Sequence, residues 1–424
     1  MARREHVVVV GLGFGDEGKG AVVDALCQDG PVEAVVRFNG GAQAAHNVVV
    51  GDRHHTFSQF GSGTLAGVPT LLSRHVLVEP IALASEAREL AALGVPDPLR
   101  LLSVDADALL TTPIHVAANR AREDARGADR HGSCGKGIGE TVWYSLVSRR
   151  GAGPGDVVEG QPVPGTPGPA LTVGDCADPV RLRRGLDALA RFYAPLVPDP
   201  PAVADLVVLY RAFHDAVRTV SGEELGALAE RGALVFEGAQ GVLLDQWRGF
   251  HPHTTWSTVT PDNARGLLAA AGHRARVLGV TRTYQTRHGA GPLPTEDPAT
   301  RRRFPERHNA EGRYQGGWRA GHLDAVLLRY AVAACGGVDG LAVTHLDHVA
   351  EGLRVATAYR GLGRDLPSEP STDLVARATP VLEPLPRDPE AVLARFEELT
   401  GVPVVVTGSG PDRADYRVRT PVPR

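Results

Sequence analysis

Short apolar runs alternate with longer segments of helical spacing along most of this chain. Several runs end in glycine or polar turn residues, and a helical pattern then follows. This alternation is typical of a mostly parallel sheet with helices on both faces, because parallel strands are joined by helical crossovers. We therefore predict an α/β fold around one central sheet. The runs interpreted as strands are residues 7–10, 34–38, 207–210, 233–236, 276–280, 340–343 and 403–406.

Apolar residues spaced three or four apart predict the helices. A length of 424 residues suggests two or three domains, although large α/β enzymes are often a single domain. Residues 151–173 are rich in proline and glycine, but helical segments flank them on both sides. We interpret them as a long excursion from one large domain that covers residues 1–424. The clearest helical segments are 85–94, 180–193, 206–220 and 389–399.

Polar residues are concentrated in the loops that follow the predicted strands. Ligands of an open parallel sheet bind at the carboxyl ends of its strands, so five such loops favour one composite site. The loops are RFNGGAQAAHNVV after the second strand, FEGAQGVLLDQW after 233–236, RTYQTRHGAGPLPTE after 276–280, THLDH after 340–343 and TGSGPDR after 403–406.

Composition argues against several classes of protein. A net charge of −4 and a pI near 6.5 argue against a nucleic-acid-binding surface, and a hydrophobic fraction of 43% supports a sizeable core. The four cysteines lack zinc-site spacing, and Cys27 and Cys335 are predicted to be buried free thiols. No window reaches 18 apolar residues and the N-terminus lacks signal-peptide features, so we expect a cytoplasmic protein without a membrane partner.

Lysine occurs only twice among the 45 Lys and Arg residues, at Lys19 and Lys136. Lys19 lies between a glycine-rich turn and an apolar helix pattern, directly after the strand at 7–10. Backbone N–H groups at a helix start attract phosphate, and a compact ammonium adds positive charge. This order predicts a P-loop-like phosphate site. The alternative is a glycine-rich turn with a solvated lysine.

Two phosphate-binding templates fit this turn only in part. Gly13, Gly15 and Gly18 spell G-x-G-x-x-G. That fingerprint expects an acidic residue after the second strand, where this chain has Arg37. The template G-x-x-x-x-G-K-[ST] fails at Gly20, because the missing hydroxyl normally ligates Mg²⁺. The loop is therefore expected to hold phosphate, with a metal ligand other than the missing hydroxyl.

Acidic and histidine side chains in these loops supply candidate chemistry. Asp16, inside the turn, is the obvious Mg²⁺ ligand or proton acceptor. A lone histidine such as His46 is most often structural, but His46 ends the next strand–loop unit, and this position also indicates an acid–base pair with Asp16. Asp347 follows a strand and can accept from guanine N1–H and N2–H₂, with a helix N-cap as the alternative. The loop GSGPDR either covers a base or is an ordinary turn.

These loops together resemble those of the adenylosuccinate synthetase family, from the first strand to the last predicted loop. The likeness is specific, because DEGKG, FEGAQG and GAGP-PTE are hard to reach in this order by chance. The matching stretches are GFGDEGKG, VVRFNGGAQAAHNVV, ARGADRHGSCGKGIG followed by VSRRG, VFEGAQGVLLD, TRHGAGPLPTE, RAGHLDAV, THLDHV and GSGPDR.

The resemblance implies a homodimeric enzyme that uses GTP and Mg²⁺ to couple L-aspartate to inosine monophosphate (IMP). The γ-phosphate moves to the purine 6-oxygen, and the aspartate amine then displaces it. The resemblance assigns Asp16 the removal of the N1 proton and a bond to Mg²⁺, to which the carbonyl of Ala45 also binds. It assigns His46 the stabilisation of the charge that develops during phosphoryl transfer. It assigns Gln240 the binding of the 6-oxygen.

The resemblance also places residues around both nucleotides and across the dimer. Arg149 matches an arginine that reaches the neighbouring subunit's site. Gln43, Cys134 and Thr255 match the family's 5′-phosphate contacts. The implied GTP-binding residues are Gly15, Glu17, Gly18, Lys19, Gly20, His345, Asp347, Ser409, Gly410 and Pro411. The implied IMP-binding residues are Asp16, Lys19, Gln43, His46, Cys134, Arg149, Gln240 and Thr255.

Several positions depart from the family's usual residues. Cys134 stands in place of a threonine, and a thiol is a poor donor to phosphate. Gln43 replaces an asparagine, and Ala45 replaces a glycine, which crowds the metal loop. His345 replaces a lysine beside the guanine aspartate.

The largest departure lies in the loop that would take the amine substrate. The family has a run of arginines here, whereas this chain reads AEGRYQGGWRAGHLD. Gly316 and Trp318 stand where two arginines usually grip carboxylates, and two carboxylates normally call for two cationic forks. Arg313 and Arg319 remain nearby, so we predict that they bind the amine, Arg313 through a three-residue insertion in the loop.

Three functions remain open at this point. The leading one is GTP-dependent synthesis of adenylosuccinate from IMP and L-aspartate. The second is the same chemistry with another amine or another lactam, in a specialised pathway. The third is a non-catalytic guanine-nucleotide-binding protein, against which the intact Asp16, Lys19 and Gln240 argue. The amine, the sugar of the nucleotide and the oligomer size are left undetermined.

Overall fold

The computed structural model describes residues 5–305 and 313–419, with all of their side chains except those of 350 and 351. In this part of the chain the strands are β1 (His6–Gly11), β2 (Ala34–Arg37), β3 (His46–Val50), β4 (Arg53–Phe57), β5 (Thr70–Leu72), β6 (Leu77–Val78), β7 (Leu102–Asp105), β8 (Leu109–Leu110), β9 (Val157–Val158), β10 (Gln161–Pro162), β11 (Arg218–Val220), β12 (Leu234–Gly241), β13 (Ala275–Arg282), β14 (Tyr284–His288), β15 (Trp318–Asp324), β16 (Gly340–Thr344), β17 (Arg354–Tyr359), β18 (Pro380–Pro384), β19 (Val404–Gly408) and β20 (Tyr416–Val418). The α-helices are α1 (Lys19–Gln28), α2 (Pro80–Ala92), α3 (Pro113–Arg126), α4 (Ile138–Arg150), α5 (Pro179–Tyr193), α6 (Val203–Ala216), α7 (Glu224–Arg231), α8 (Asp262–Ala270), α9 (Pro298–Arg303), α10 (Ala325–Ala334), α11 (Thr372–Ala376) and α12 (Pro389–Thr400).

A ten-stranded sheet forms the centre of the fold, in the order β11-β7-β5-β2-β12-β1-β13-β16-β19-β20. Each neighbouring pair is parallel except β19 and β20, which are antiparallel. The predicted α/β class with a mostly parallel central sheet is therefore confirmed.

Both faces of this sheet are buried, which explains the uninterrupted apolar character of the central strands. Val9 packs in a cluster with Val22 of α1. Val8 and Val10 point to the opposite face and pack in a cluster that includes Leu327 of α10. Because adjacent residues of β1 serve two different cores, the strand must be apolar at every position.

A smaller sheet stands beside the carboxyl end of the central one. Its order is β14-β15-β17-β18, and β14 continues almost directly from β13 of the central sheet. This sheet was not predicted, and it carries the loop that the sequence assigns to the amine substrate. The excursion at 151–173 contains the short antiparallel pair of β9 and β10.

One predicted strand is wrong. Residues 207–210 lie within α6, because the buried side chains Leu206, Val207, Tyr210 and Phe213 follow helical spacing while Val208 is exposed. The helix predicted over 206–220 ends at residue 216, and the edge strand β11 follows it.

Other expectations agree with the structure. Cys27 and Cys335 are buried free thiols. The helices predicted at 85–94, 180–193 and 389–399 correspond to α2, α5 and α12. Within residues 5–305 and 313–419, no helix is both long and apolar enough to cross a membrane. The tail beyond residue 419 lies outside the described residues.

Candidate active site

The carboxyl ends of neighbouring central strands bring the predicted loops together. β1 lies between β12 and β13, and β16 adjoins β13. Thr344, at the end of β16, donates its Oγ1 hydrogen to the carbonyl of Glu17 over 2.8 Å. Asn39, after β2, accepts from the N–H of Ala239 in β12 over 2.7 Å. Direct hydrogen bonds thus join loops from four different strands.

The loop after β1 adopts the backbone conformation that its glycines predict. Gly15 and Gly18 have φ angles of 98° and 88°, in the left-handed region that glycine favours, and α1 begins at Lys19. Gly20, in the first turn, has no room for a side chain, because a Cβ there would lie 2.9 Å from the Cβ of His46. The glycine that breaks the P-loop template therefore allows β3 to pack against α1.

Glu17 turns its carboxylate into this loop. Its Oε1 accepts from the N–H groups of Gly13 and Gly15 over 3.0 and 2.8 Å, and its Oε2 lies 2.6 Å from Nζ of Lys19. Both charged side chains are almost fully buried, with exposures of 2% and 3%. Glu17 thus holds the loop and pairs the lysine that was predicted to bind phosphate.

Asp16 is held from two directions. Its φ of 60° is left-handed, and its carbonyl accepts from Nη1 of Arg282 over 2.9 Å. Its Oδ2 lies 2.9 Å from Nε2 of His288, the last residue of β14. Burial would raise the pKa of Asp16, but the hydrogen bond and charge of His288, with Arg282 adding, lower it below its usual value. The carboxylate is therefore ionised at neutral pH.

His46 has a different carboxylate partner from the one expected. Its Nδ1 lies 2.5 Å from Oε1 of Glu237, which is completely buried in β12. Glu237 also accepts from the backbone N–H and the hydroxyl of Ser62, over 2.9 and 2.5 Å. Across the described ranges, His46 and Asp16 share no hydrogen bond, so they do not form the direct pair that their positions in sequence suggested.

The Glu237 cluster fixes the protonation of its members. Burial would raise the pKa of Glu237, but Arg37, His46 and Ser62 together lower it to about 2. Burial lowers the pKa of His46, and the neighbouring carboxylate opposes that shift. The carboxylate therefore stays ionised and orients the imidazole through Nδ1, which leaves Nε2 without a hydrogen bond among the described residues.

Two amide side chains near the loops lack partners. Gln240, the second-last residue of β12, has a left-handed φ of 67°, and its Oε1 is buried without a hydrogen bond to any atom that the structure describes. The amide Nε2 and Oε1 of Gln43 are likewise buried without a hydrogen bond to any described atom. A Cβ on Gly40 would lie close to Ala239 and 3.3 Å from Nε2 of Gln43, so the two glutamines flank the same strand end. Buried unpartnered polar atoms are typical of sites that a polar ligand completes.

The segment predicted to read guanine adjoins the phosphate loop. Gly18 would place a Cβ 3.3 Å from Thr344, the residue before His345. Burial, followed by the charges of Arg282 and His348, lowers the pKa of His345 well below its usual value. The ring is therefore neutral at neutral pH, and it does not supply the charge of the lysine that the family has there.

The acidic residue of this segment and the last predicted loop are open to solvent. The side chain of Asp347 is 39% exposed, with Oδ2 3.6 Å from Nε2 of His348. Ser409 and Pro411 are exposed after β19, and Gly410 is half-buried between them. This arrangement leaves a face of the segment accessible to a base.

The remaining predicted nucleotide contacts lie on separate elements. Thr255 is half-buried after β12, and Ala45 is exposed directly before β3. Burial raises the pKa of the half-buried Cys134 thiol although Lys136 lies near, so the thiol is neutral. Arg149 is exposed in the last turn of α4, as a residue that reaches another subunit must be.

The two arginines predicted to bind the amine contact different acidic residues. Arg319, in β15, uses Nε and Nη2 on Glu296, with 3.0 Å between Nε and Oε1. Its Nη1 donates to the carbonyls of Gly289 and Gly291 over 3.0 and 2.9 Å. Arg313 is 72% exposed and lies 3.3 Å from Asp124. Residues 310–312 of this stretch lie outside the described residues.

Comparison with known proteins decides the family. The sequence model described as adenylosuccinate synthetase matches residues 8–417, which is nearly the whole chain. This chain belongs to the adenylosuccinate synthetase family. The resemblance predicted from the loop motifs is confirmed, and with it the class of enzyme, because the family consists of GTP-dependent ligases that form a C–N bond.

Individual relatives and solved structures that this chain resembles are consistent with this result. A relative from Ralstonia pickettii (strain 12J) is 33% identical over 97% of this chain and 96% of its own length, and one from Anaeromyxobacter sp. (strain K) is 35% identical over 97% of each. A fully ligated adenylosuccinate synthetase structure from Plasmodium falciparum covers 98% of this chain and 100% of its own, with a TM-score of 0.81 at 21% identity. A cyanophage S-2L succinoaminodeoxyadenylate synthetase, bound to dGMP and dATP, covers 98% and 95% with a TM-score of 0.59 at 18% identity. These two structural matches support the fold.

Adenylosuccinate synthetases use GTP as co-substrate and Mg²⁺ as cofactor, and they work as dimers on small molecules. Within the described residues, no group of three or more His, Cys, Asp or Glu side chains is placed to hold a metal ion. Asp16 offers a carboxylate and Ala45 a backbone carbonyl, and oxygen donors of these kinds suit Mg²⁺, which usually keeps several waters and binds substrate phosphates.

Sequence reasoning missed two residues of the site. Glu237 stands in FEGAQG, where a carboxylate inside a buried strand next to glycines signals a charge that needs a buried partner. His288 stands in RTYQTRHGAGPLPTE, one of the strand-end loops, but its partner Asp16 is 272 residues away. Only the three-dimensional fold joins these two positions.

Proposed function

We propose that this enzyme uses GTP to phosphorylate the 6-oxygen of IMP and then joins L-aspartate at that carbon, giving adenylosuccinate. The observation that carries this proposal is the ionised carboxylate of Asp16, held between the phosphate loop and the small sheet. A lactam N1–H beside it would lose its proton, and the electron pair would make the 6-oxygen nucleophilic.

Gln240 and His46 take the next roles in this proposal. Gln240 holds the purine by donating a hydrogen bond from its amide Nε2 to the 6-oxygen. The γ-phosphoryl group leaves the β-phosphate oxygen of GTP for that oxygen, and His46 faces the charge that develops. Phosphate would raise the pKa of His46 by adding negative charge, so the imidazole then donates a proton. The aspartate amine finally attacks the carbon, inorganic phosphate leaves, and the amine loses a proton.

The GTP site is proposed along the phosphate loop. Lys19 exchanges Glu17 for phosphate, and the loop N–H groups face the same anion. Asp347 accepts from guanine, beside the neutral His345. The proposed GTP-binding set is Gly15, Glu17, Gly18, Lys19, Gly20, His345, Asp347, Ser409, Gly410 and Pro411. Mg²⁺, held by Asp16 and the carbonyl of Ala45, would neutralise phosphate charge.

The 5′-phosphate of IMP is assigned to Gln43, Cys134 and Thr255, with Arg149 from the other subunit. The neutral thiol of Cys134 makes this a weaker contact than a hydroxyl would. We further propose that residues 1–424 act as one domain, which the family match over 8–417 supports. A cytoplasmic location follows from the proposed substrates, which are cytoplasmic metabolites.

The amine pocket supports a second candidate. In the proposed function Arg313 and Arg319 bind the carboxylates of L-aspartate. Arg319 already uses its donors on Glu296 and two carbonyls, so a dicarboxylate has to displace existing bonds. An amine with less negative charge, joined by the same chemistry, is the alternative that this observation favours.

The deciding experiment measures phosphate release with GTP, Mg²⁺ and IMP against a panel of amines, with product mass as a second readout. We expect release and a product of adenylosuccinate mass with L-aspartate. Product with another amine and none with L-aspartate would establish the second candidate. Tight GTP binding without any turnover would contradict both.

Arg149 provides a separate test of the dimer. Mixing inactive Arg149→Ala with inactive Asp16→Asn should recover about a quarter of wild-type activity, because half of the dimers are mixed and each has one intact site. No recovery, despite subunit exchange proven by mass spectrometry, would place Arg149 in its own chain's site.

A further inference from the structure

We propose that His288 is a positioning residue for Asp16: it holds Oδ2 of the carboxylate and leaves Oδ1 for the substrate. The inference rests on the proposed role of Asp16 as the base. Oδ2 lies 2.9 Å from Nε2 of His288. Among the side chains that the structure describes, Oδ1 has no hydrogen-bond partner. The two oxygens are thus distinguished by a single contact.

Asp16 needs such a holder because its own loop does not fix its side chain. The residue is flanked by the left-handed Gly15 and lies close to the left-handed Gly18. Arg282 donates to its carbonyl and, among the described residues, makes no hydrogen bond to its carboxylate. The side chain is 25% exposed, so neighbouring atoms do not enclose it.

His288 has the rigidity that a holder requires. Its side chain is only 8% exposed. It ends β14 opposite Trp318 of β15, in the small sheet. The next residue, Gly289, donates to the carbonyl of Gly317 over 3.0 Å and accepts from Arg319. Hydrogen bonds of β14 and of Gly289 therefore fix the backbone on both sides of the nearly buried His288 side chain.

The contact between His288 and Asp16 also links the small sheet to the loop that follows β1. β14 and β15 carry Arg319 and the loop assigned to the amine, whereas Asp16 lies in the loop that follows β1 of the central sheet. One hydrogen bond connects the base that activates the purine to the sheet that carries the amine loop. Positioning errors of about 1 Å at such a group can cost about a hundredfold in rate.

The test compares His288→Gln with His288→Asn. Glutamine places its amide N–H near the position of Nε2, whereas the shorter asparagine reaches only the position of Nδ1. Both are neutral and polar, so their difference isolates the hydrogen bond. We expect the asparagine variant to lose at least about tenfold in kcat, with KM for GTP and IMP within about threefold, and the glutamine variant to stay within about threefold in kcat.

Crystal structures of both variants provide a readout independent of turnover. We expect the Asp16 carboxylate to keep its orientation in His288→Gln and to change or split in His288→Asn, with similar thermal unfolding of both. An unchanged carboxylate in the asparagine variant, or equal losses of kcat in the two variants, would overturn the proposal. Wild-type protein that is inactive with IMP would defeat the proposed function instead, and the structures would still decide the role of His288.

Discussion

The purine end and the amine end of this site differ in how their charges are paired. At the purine end, Glu237 is completely buried and binds His46 and Ser62 through bonds as short as 2.5 Å. At the amine end, Arg313 is 72% exposed beside Asp124, which is 42% exposed. One end is a closed network in the core, and the other is a set of surface ion pairs.

This difference indicates that the fold preorganises the purine end of the site and not the amine end. Buried charges have to be paired and hydrogen-bonded, so the purine end is constrained whether or not substrate is bound. Exposed ion pairs contribute little and exchange partners readily. The purine end therefore keeps one reaction type, while the amine end can change its substrate at small cost in stability.

The largest effect is expected from Asp16→Asn, which removes the base at the purine end. Turnover should fall by about 10²–10³-fold or more, because the amide cannot accept the N1 proton. GTP affinity, measured by calorimetry, should stay within about tenfold. Turnover close to wild type would show that another group takes the proton.

A matched pair of substitutions compares stability at the two ends. Glu237→Gln should lower the free energy of unfolding by about 3 kcal/mol, because it leaves buried Arg37 without its counter-charge. Glu296→Gln, at the exposed pair with Arg319, should cost less than about 1 kcal/mol. Urea unfolding of both variants measures the difference, and equal losses would contradict the comparison.

The Glu237 pair also predicts a pH dependence. Its pKa is lowered from 4.5 to about 2, so its stabilisation is present above pH 4.5 and is lost as pH falls towards 2. Between pH 4.5 and 2, the free energy of unfolding of Glu237→Gln should therefore fall less than that of the wild type. The contribution of Glu237 to this fall should persist in Glu296→Gln.

A smaller effect is expected at the guanine segment. Asp347→Asn should weaken the preference for GTP over ATP by about 1–3 kcal/mol, since the amide leaves guanine N–H groups poorly matched. Asp373→Asn, at an exposed position of α11, is the control and should leave the preference unchanged. Wild-type protein that prefers ATP would contradict the assignment.

The smallest effect is expected at the amine end. Arg313→Ala should raise KM for L-aspartate by about tenfold, the scale of one charged hydrogen bond, without changing KM for GTP or IMP. Arg150→Ala, which removes an exposed arginine paired with Glu159, serves as the control. An unchanged KM would exclude Arg313 from the amine site and favour an amine of lower charge.

The central sheet and the phosphate loop could be predicted from local pattern. Val8, Val9 and Val10 are apolar because each faces one of two cores, and such runs identify buried parallel strands without any long-range information. The left-handed positions of the first loop were likewise marked by Gly15 and Gly18. The error at 207–210 arose because four apolar residues fit a buried strand and one turn of helix equally well.

The sequence by itself determined the α/β class, the order of the loops around the site and the family. These follow from periodicity and short motifs, which are properties of neighbouring residues. Only the tertiary structure decided which charges pair: Glu237 with His46, Asp16 with His288, and Arg319 with Glu296. The first two pairs join positions 191 and 272 residues apart, and a charge interacts through distance in space, which the spacing of residues along the chain does not contain.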